Sequence, residues 1–155
     1  MSTLFSLLTP IGPISVSVAG GRVDGVNLDT GAMADYAPQD ELSERVKAQL
    51  ERYFLDAQAT FSVPLAPRGT AFQQRVWEAM LRIPVGRVKS YGEIAREIGS
   101  GARAVGNACR RNPIPLIIPC HRVVSTQGIG GYSGATDGRK LAIKRWLLAH
   151  EGVVL

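Results

Sequence analysis

The stretch Asn112-Pro113-Ile114-Pro115-Leu116-Ile117-Ile118-Pro119-Cys120-His121-Arg122-Val123-Val124 decides how the chain is read. It sets one of the two cysteines beside one of the two histidines, among aliphatic residues and three prolines. Proline fixes φ, so the segment reads as rigid and buried. A thiol followed by imidazole and guanidinium lies in electropositive surroundings, which favour thiolate, the nucleophilic form. The bland alternative is inert core, the usual fate of a cysteine in an aliphatic run. Adjacent residues do not face each other in a helix or strand, so Cys120 and His121 can cooperate only across a turn or through a water.

The flanks of this stretch are patterned. Thr70 can cap a helix from about Ala71 to Arg82, with Phe72, Val76 and Met80 on one face and Ile83-Pro84-Val85-Gly86 ending it. Ser90 with Glu93 has capping-box spacing and opens a helix over Tyr91–Ile98. Gly99-Ser100-Gly101 breaks that helix, and a second follows over Ala102–Arg110. Helix, short glycine turn, helix is the helix-turn-helix pattern, although many such pairs are only structural. The second helix exposes Arg103, Asn107 and Arg110, and Val105 and Ala108 are suited to packing. After Val124, four glycines between Ser125 and Gly134 would let backbone approach a flat ligand, or simply form a flexible loop. Asp137 caps or precedes a last helix through about His150, with Ile143, Trp146, Leu147 and His150 on one stripe and Gly152 as terminator. On sequence alone Glu151 reads as an ordinary helix end.

The N-terminal part reads differently. Leu4–Leu8, Ile14-Val16-Val18 and Val23-Val26-Leu28 suggest a small antiparallel meander, turning at Gly20-Gly21. Gly31–Pro38 reads as a loop. Gln39–Asp56 carries Leu42, Val46, Leu50 and Phe54 at i+4 steps, an amphipathic helix that could cover the meander. Phe61–Arg68, with two prolines, reads as a linker. The expected division is residues 1–64 and residues 65–155. The net charge of +5 divides along it: residues 1–64 hold eight acidic and four basic side chains, residues 65–155 five and fourteen. A basic half beside an acidic half suits a polyanionic partner. No apolar run is long enough for a transmembrane helix, and the start shows no secretory pattern. Two cysteines make neither a disulfide framework nor a zinc site, and free thiols fit a reducing cytoplasm.

Pro119-Cys120-His121-Arg122-Val123-Val124, preceded by Arg103-Ala104-Val105-Gly106 and Asn112-Pro113, resembles the O6-alkylguanine-DNA alkyltransferase family, the methylated-DNA–protein-cysteine methyltransferases. The likeness spans nearly the whole chain and is strongest from Gly69 to Gly152. It implies an α+β fold: a small N-terminal ribonuclease H-like sheet with a helix, then a mostly helical winged helix-turn-helix domain carrying the active site. It implies single-turnover transfer of an alkyl group from O6-alkylguanine in duplex DNA, with O4-alkylthymine open, to Cys120. His121 would take the thiol proton through a water and Glu151 would orient the imidazole. Asn112 would brace the active-site turn, and Tyr91 would protonate the departing base. Tyr132, Ser133 and the carbonyls of Cys120 and Val123 would hold that base, and Cys109 would border the pocket.

Within the same resemblance, Arg103 would replace the flipped nucleotide in the minor groove. Ala102, Ala104, Gly106, Asn107 and Arg110 would complete the DNA face. No cofactor and no metal are implied; some members bind a structural zinc in the N-terminal domain, but no cysteine precedes Cys109 here. The implied partner is double-stranded DNA bearing O6-alkylguanine. The protein would be a cytoplasmic monomer, with cooperative binding on DNA left open. Two departures stand out: Cys109 sits where a larger apolar residue is common, and Ala135–Lys140 lengthens the connection to the last helix. Readings of other classes are a non-catalytic damage sensor, which retention of Cys120 disfavours, and a cysteine hydrolase, which would not need the basic half or Arg103.

Overall fold

The computed structural model describes residues 2–28, 37–130 and 138–154, and the chain forms two compact units of mixed α and β structure. One unit comprises Met1–Arg68 with Pro113–Ile117, and the other Gly69–Asn112 with Ile118–Leu155. The loop expected at Gly31–Pro38 lies, up to Tyr36, outside the described residues.

In the first unit, β1 (Ser2–Thr9), β2 (Gly12–Ala19) and β3 (Arg22–Asn27) form an antiparallel sheet in the order of the chain. Phe5 pairs with Val16 and Leu7 with Ile14 across the first hairpin. Alternation holds: Ile14, Val16 and Val18 are buried while the serines between them are half-buried. Gly20 and Gly21 both take positive φ at the β2–β3 turn, where a side chain would be strained. The α1 helix (Glu41–Leu55) starts at Asp40, whose carboxylate accepts from the Ser43 backbone N–H at 2.7 Å. Its buried stripe is Ser43, Val46, Leu50 and Tyr53, so the helix is turned from the expected register and Leu42 and Phe54 are only half-buried.

The segment expected to be a linker is instead tied to the sheet. Leu65 forms a parallel bridge to Val23, the Val23 N–H donates to the Pro64 carbonyl, and the Ala66 N–H donates to the Val23 carbonyl. Two prolines do not prevent this, because the donors used belong to Val23 and Ala66. The Pro113 carbonyl similarly accepts from the Val26 N–H at 2.9 Å.

In the second unit, α2 (Ala71–Leu81), α3 (Tyr91–Ile98) and α4 (Ala102–Arg110) pack on one another, and α5 (Gly138–His150) lies against the turn that carries Cys120. Thr70 and Ser90 each close a full capping box, with Gln73 and Glu93. Gly99 ends α3 in the left-handed conformation that a side chain resists. Trp77 on α2 is buried, and its indole N–H donates to the Ala108 carbonyl on α4 at 2.9 Å. A two-residue parallel ladder joins β4 (Lys89–Ser90) to β5 (Val123–Val124). That ladder fixes the start of α3, and so Tyr91, beside the residues that follow Cys120.

The buried stripe of α5 also departs from expectation. Leu141, Ile143, Lys144, Leu147 and Leu148 are buried, while Trp146 and His150 are half-buried and stack on each other at 4.7 Å. Ser90→Ala removes one side of the α3 capping box and should cost about 1 kcal/mol in a urea titration. An unchanged midpoint would mean that the ladder alone holds the start of α3.

Candidate active site

The backbone around Cys120 is set by a local device. Pro119 has φ −82° and ψ 66°, and the Cys120 N–H donates to the Ile118 carbonyl at 2.8 Å. This is an inverse γ-turn, and the proline ring holds φ close to the value it needs. The Ile118 carbonyl also accepts from Asn112 Nδ2 at 2.9 Å. Cys120–Arg122 then form one 3₁₀ turn, closed by the Val123 N–H donating to the Cys120 carbonyl. The turn brings three adjacent side chains to one buried site, where a helix or strand would splay them. Cys120 is 4% exposed and His121 fully buried.

Three donors converge on Glu151. His121 Nε2 lies 2.7 Å from Glu151 Oε2, Arg122 Nε donates to Oε1 at 2.7 Å, and Arg122 Nη2 donates to Oε2 at 3.1 Å. Arg122 Nη1 donates to the Ile83 carbonyl at 2.7 Å, at the exit of α2. Glu151 occupies the cap of α5. The Gly152 N–H bonds the Ala149 carbonyl and the Val153 N–H bonds the Leu148 carbonyl, the Schellman pattern, with Gly152 at φ 82°.

An ionised carboxylate can only accept, so Nε2 of His121 carries the hydrogen and Nδ1 presents its lone pair. That Nδ1 is buried and has no hydrogen-bond partner among the described residues. Burial holds the imidazole below its ordinary pKa; the hydrogen bond and charge of Glu151 oppose this, and the charges of Arg122 and Lys144 add to it. His121 therefore rests neutral, able to accept a proton.

Further groups of the second unit pack near this turn or line α4. Lys144 of α5 is wholly buried; its Nζ donates to the Val123 carbonyl at 2.7 Å and lies 6.0 Å from the centre of the Tyr91 ring. Cys109 is buried with Sγ 3.6 Å from Met80 Sδ, and desolvation pushes its thiol far above the usual range. Gly130 adopts positive φ against Tyr91, where an added Cβ would come within 3.2 Å of the ring. On α4, Ala102, Arg103, Asn107 and Arg110 are exposed, and Ala104 and Gly106 are half-buried. Arg103, Asn107 and Arg110 fall at i, i+4 and i+7, one face of the helix.

Residues 71–153 match the family model described as the DNA binding domain of 6-O-methylguanine DNA methyltransferase. A methylated-DNA–protein-cysteine methyltransferase of Methanosarcina acetivorans is 41% identical over 152 residues, covering 93% of this chain and 94% of that one. The chain belongs to the methylated-DNA–protein-cysteine methyltransferases. The crystal structure of the Mycobacterium tuberculosis O6-methylguanine methyltransferase aligns with this methyltransferase at a TM-score of 0.83 and 37% identity, covering 97% of this chain and 93% of that one. A Mycobacterium tuberculosis OGT in complex with DNA aligns at a TM-score of 0.80 and 40% identity, covering 96% and 91%.

Of the residues singled out in the sequence, the structure of this methyltransferase brings Cys120, His121, Glu151, Asn112 and Val123 together around one turn, and the Tyr91 ring lies 6.0 Å from Lys144 Nζ, which is bonded to the Val123 carbonyl. Tyr132 and Ser133 lie outside the described residues, as does the Ala135–Asp137 part of the lengthened connection; Gly138–Lys140 open α5. Sequence reasoning passed over Lys144 and took Arg122 only as a charge near the thiol. The signal for Lys144 was present: it stands at i+3 from Leu141 and i−4 from Leu148, a core position of α5. Among the described residues no group of three or more His, Cys, Asp or Glu side chains could hold a metal ion, and no helix is long and apolar enough to cross a membrane.

Two outcomes are expected. Glu151→Gln leaves a buried guanidinium without its anion and should cost about 3–5 kcal/mol of stability by urea titration. A histidine held neutral in the fold protonates on unfolding as pH falls below its ordinary 6.5. Its contribution to stability is therefore present above that pH and is lost progressively below it. Thermal melts across the range should show this decline, and it should vanish in His121→Gln.

Proposed function

We propose that the chain repairs duplex DNA by moving the alkyl group of O6-alkylguanine onto its own Cys120. The observation that carries this reading is the buried Glu151–His121 pair, with Nδ1 unbonded, on the same 3₁₀ turn as Cys120. Carboxylate, imidazole and thiol in series make an activated nucleophile. The proton leaves the thiol for His121 Nδ1 through one water. Sulfur then attacks the alkyl carbon in line; the S–C bond forms and the C–O6 bond breaks. The departing purine takes up a proton, which Tyr91 supplies.

Sulfur ends as a thioether, which has no easy leaving route, so each molecule acts once. The base must leave the stack to reach a thiol that is 4% exposed. Residues 65–155 act as the DNA-binding and acceptor domain, a winged helix-turn-helix with α4 in the minor groove. Arg103 fills the space of the extruded nucleotide, offsetting a few kcal/mol of unstacking. The exposure of Arg103, Asn107 and Arg110 on one face and the small Ala102, Ala104 and Gly106 support close approach to a narrow groove. Tyr132, Ser133 and the carbonyls of Cys120 and Val123 hold the base, with Cys109 on the pocket wall.

The test is intact mass and peptide mapping after incubation with duplex DNA carrying O6-methylguanine. One methyl on Cys120 with restored guanine is expected. Binding without a mass change would indicate a damage sensor, and turnover would indicate a hydrolase. Cys120→Ser should bind DNA and transfer nothing. Arg103→Ala should slow repair in duplex DNA at least about tenfold. It should leave reaction with the free base O6-benzylguanine near normal, and equal loss on both substrates would contradict a flipping role.

A further inference from the structure

We propose that Arg122 is a positioning residue for the transfer: its guanidinium holds the Glu151–His121 pair at a single proton, so that Nδ1 of His121 stands bare to receive the proton of the thiol. This rests on the reading of Cys120 as the alkyl acceptor and names what readies the acceptor of its proton.

Arg122, Glu151 and His121 form one buried cluster. Arg122 lays two arms of its fork on the carboxylate, Nε on Oε1 at 2.7 Å and Nη2 on Oε2 at 3.1 Å. His121 Nε2 shares Oε2 with it, at 2.7 Å. The third arm, Nη1, donates to the Ile83 carbonyl at 2.7 Å, so the fork is pinned at both ends. A planar guanidinium meets both oxygens of a carboxylate in this way, and an ammonium does not. The hydrogen bonds of Arg122 among the described residues go to Glu151 and Ile83, so it reaches the sulfur only by way of His121.

The guanidinium decides how many protons the pair holds. With one proton, the hydrogen sits between Nε2 and the carboxylate, and Nδ1 presents a lone pair. A second proton can enter as an imidazolium beside a carboxylate. It can also enter as a carboxylic acid donating to Nε2, with the ring hydrogen on Nδ1. Both arrangements put a hydrogen on Nδ1, and neither can accept from a thiol. That Nδ1 is buried and unbonded among the described residues, the condition the single-proton state leaves it in.

Charge sets the number. A carboxylate and a neutral imidazole carry one negative charge, which is costly away from water unless it is matched. Arg122 matches it, and the three side chains are neutral together with Nδ1 bare. Without the guanidinium, a proton taken up by the pair restores neutrality instead, and Nδ1 is where it ends. Lys144 of α5, bonded to the Val123 carbonyl, also acts against an imidazolium at His121. It stays in place, as does Cys120 on the turn, when Arg122 alone is replaced. During transfer the proton passes from sulfur through water to Nδ1, and the imidazolium it forms is matched by the thiolate left behind. The cluster thus admits its second proton together with a negative charge on sulfur.

The experiment combines nitrogen NMR of the His121 ring with the single-turnover methyl-transfer rate, both against pH. In the unsubstituted protein Nδ1 should be bare at neutral pH. In Arg122→Met it should carry a hydrogen at neutral pH and lose it at a midpoint about 1–3 pH units higher, the effect of one nearby charge. Transfer by Arg122→Met should be at least about tenfold slower at neutral pH. The deficit should close as pH rises, because the blocking proton is lost on the alkaline side. Arg122→Lys, which keeps a cation and loses the fork, should hold Nδ1 bare and keep the unsubstituted pH profile even where it lowers stability. A bare Nδ1 in Arg122→Met, or a deficit equal at every pH, would mean that Arg122 only props the fold and would overturn the proposal. Where Arg122→Met does not fold, Arg122→Gln, neutral but still a hydrogen-bond donor, takes its place, and a hydrogen on Nδ1 in Arg122→Lys at neutral pH overturns the proposal by itself. Failure of methyl transfer to Cys120 in the unsubstituted protein would instead remove the underlying reading, and the ring nitrogens would report the proton count regardless.

Discussion

A carboxylate shut away from water is the constraint on which the acceptor site depends. Glu151 has no exposed side-chain surface, and a charge so placed is stable only if its lone pairs are filled and its charge is met. Arg122 meets the charge with two hydrogen bonds, and His121 fills a further position. Those three contacts tie the end of α5 to the 3₁₀ turn, and a third bond of Arg122, to the Ile83 carbonyl, ties both to the exit of α2. Gly86, in the turn after α2, lies where a Cβ would sit 3.4 Å from the Glu151 carbonyl, with φ 83°, so that turn is also shaped to admit the helix end. The orientation of one imidazole thus depends on elements far apart in sequence.

From that constraint the chemistry follows in order. A filled carboxylate assigns the tautomer of His121; the tautomer leaves Nδ1 as an acceptor; in the proposed reaction that acceptor, on the same tight turn as Cys120, receives the thiol proton through a water. Tyr91 is held by other means, the β4–β5 ladder and the capping box at Ser90, so the group proposed to protonate the base and the group proposed to receive the alkyl chain share one local frame.

Much of this was legible in the sequence where local chemistry decides. The helices of the second unit begin and end at Thr70, Ser90, Gly99 and Gly152 because capping boxes and left-handed glycines are local devices, readable from a few residues. The meander was legible because alternation in β2 survives unbroken. Legibility failed where tertiary packing chose among faces. The α1 stripe includes Ser43 and Tyr53 rather than Leu42 and Phe54, and α5 buries a lysine. Phe61–Arg68 read as a linker because prolines suggest one, yet its carbonyl and its amide serve the edge of β3. Glu151 read locally as a helix end, and it is one; that the end is buried against His121 and Arg122 depends on contacts 29 and 30 residues away, which only the resemblance anticipated. Arg122 was visible as a charge beside the thiol, but its partner could not be read from its neighbours.

The central claim is that Glu151 and His121 act as one unit on the Cys120 proton. A double-mutant cycle on the single-turnover methyl-transfer rate, with His121→Gln, Glu151→Gln and the pair combined, measures this directly. Residues acting as a unit should give a double variant no slower than the slower single one. Rate losses that simply multiply would show that the two act independently and would contradict the account.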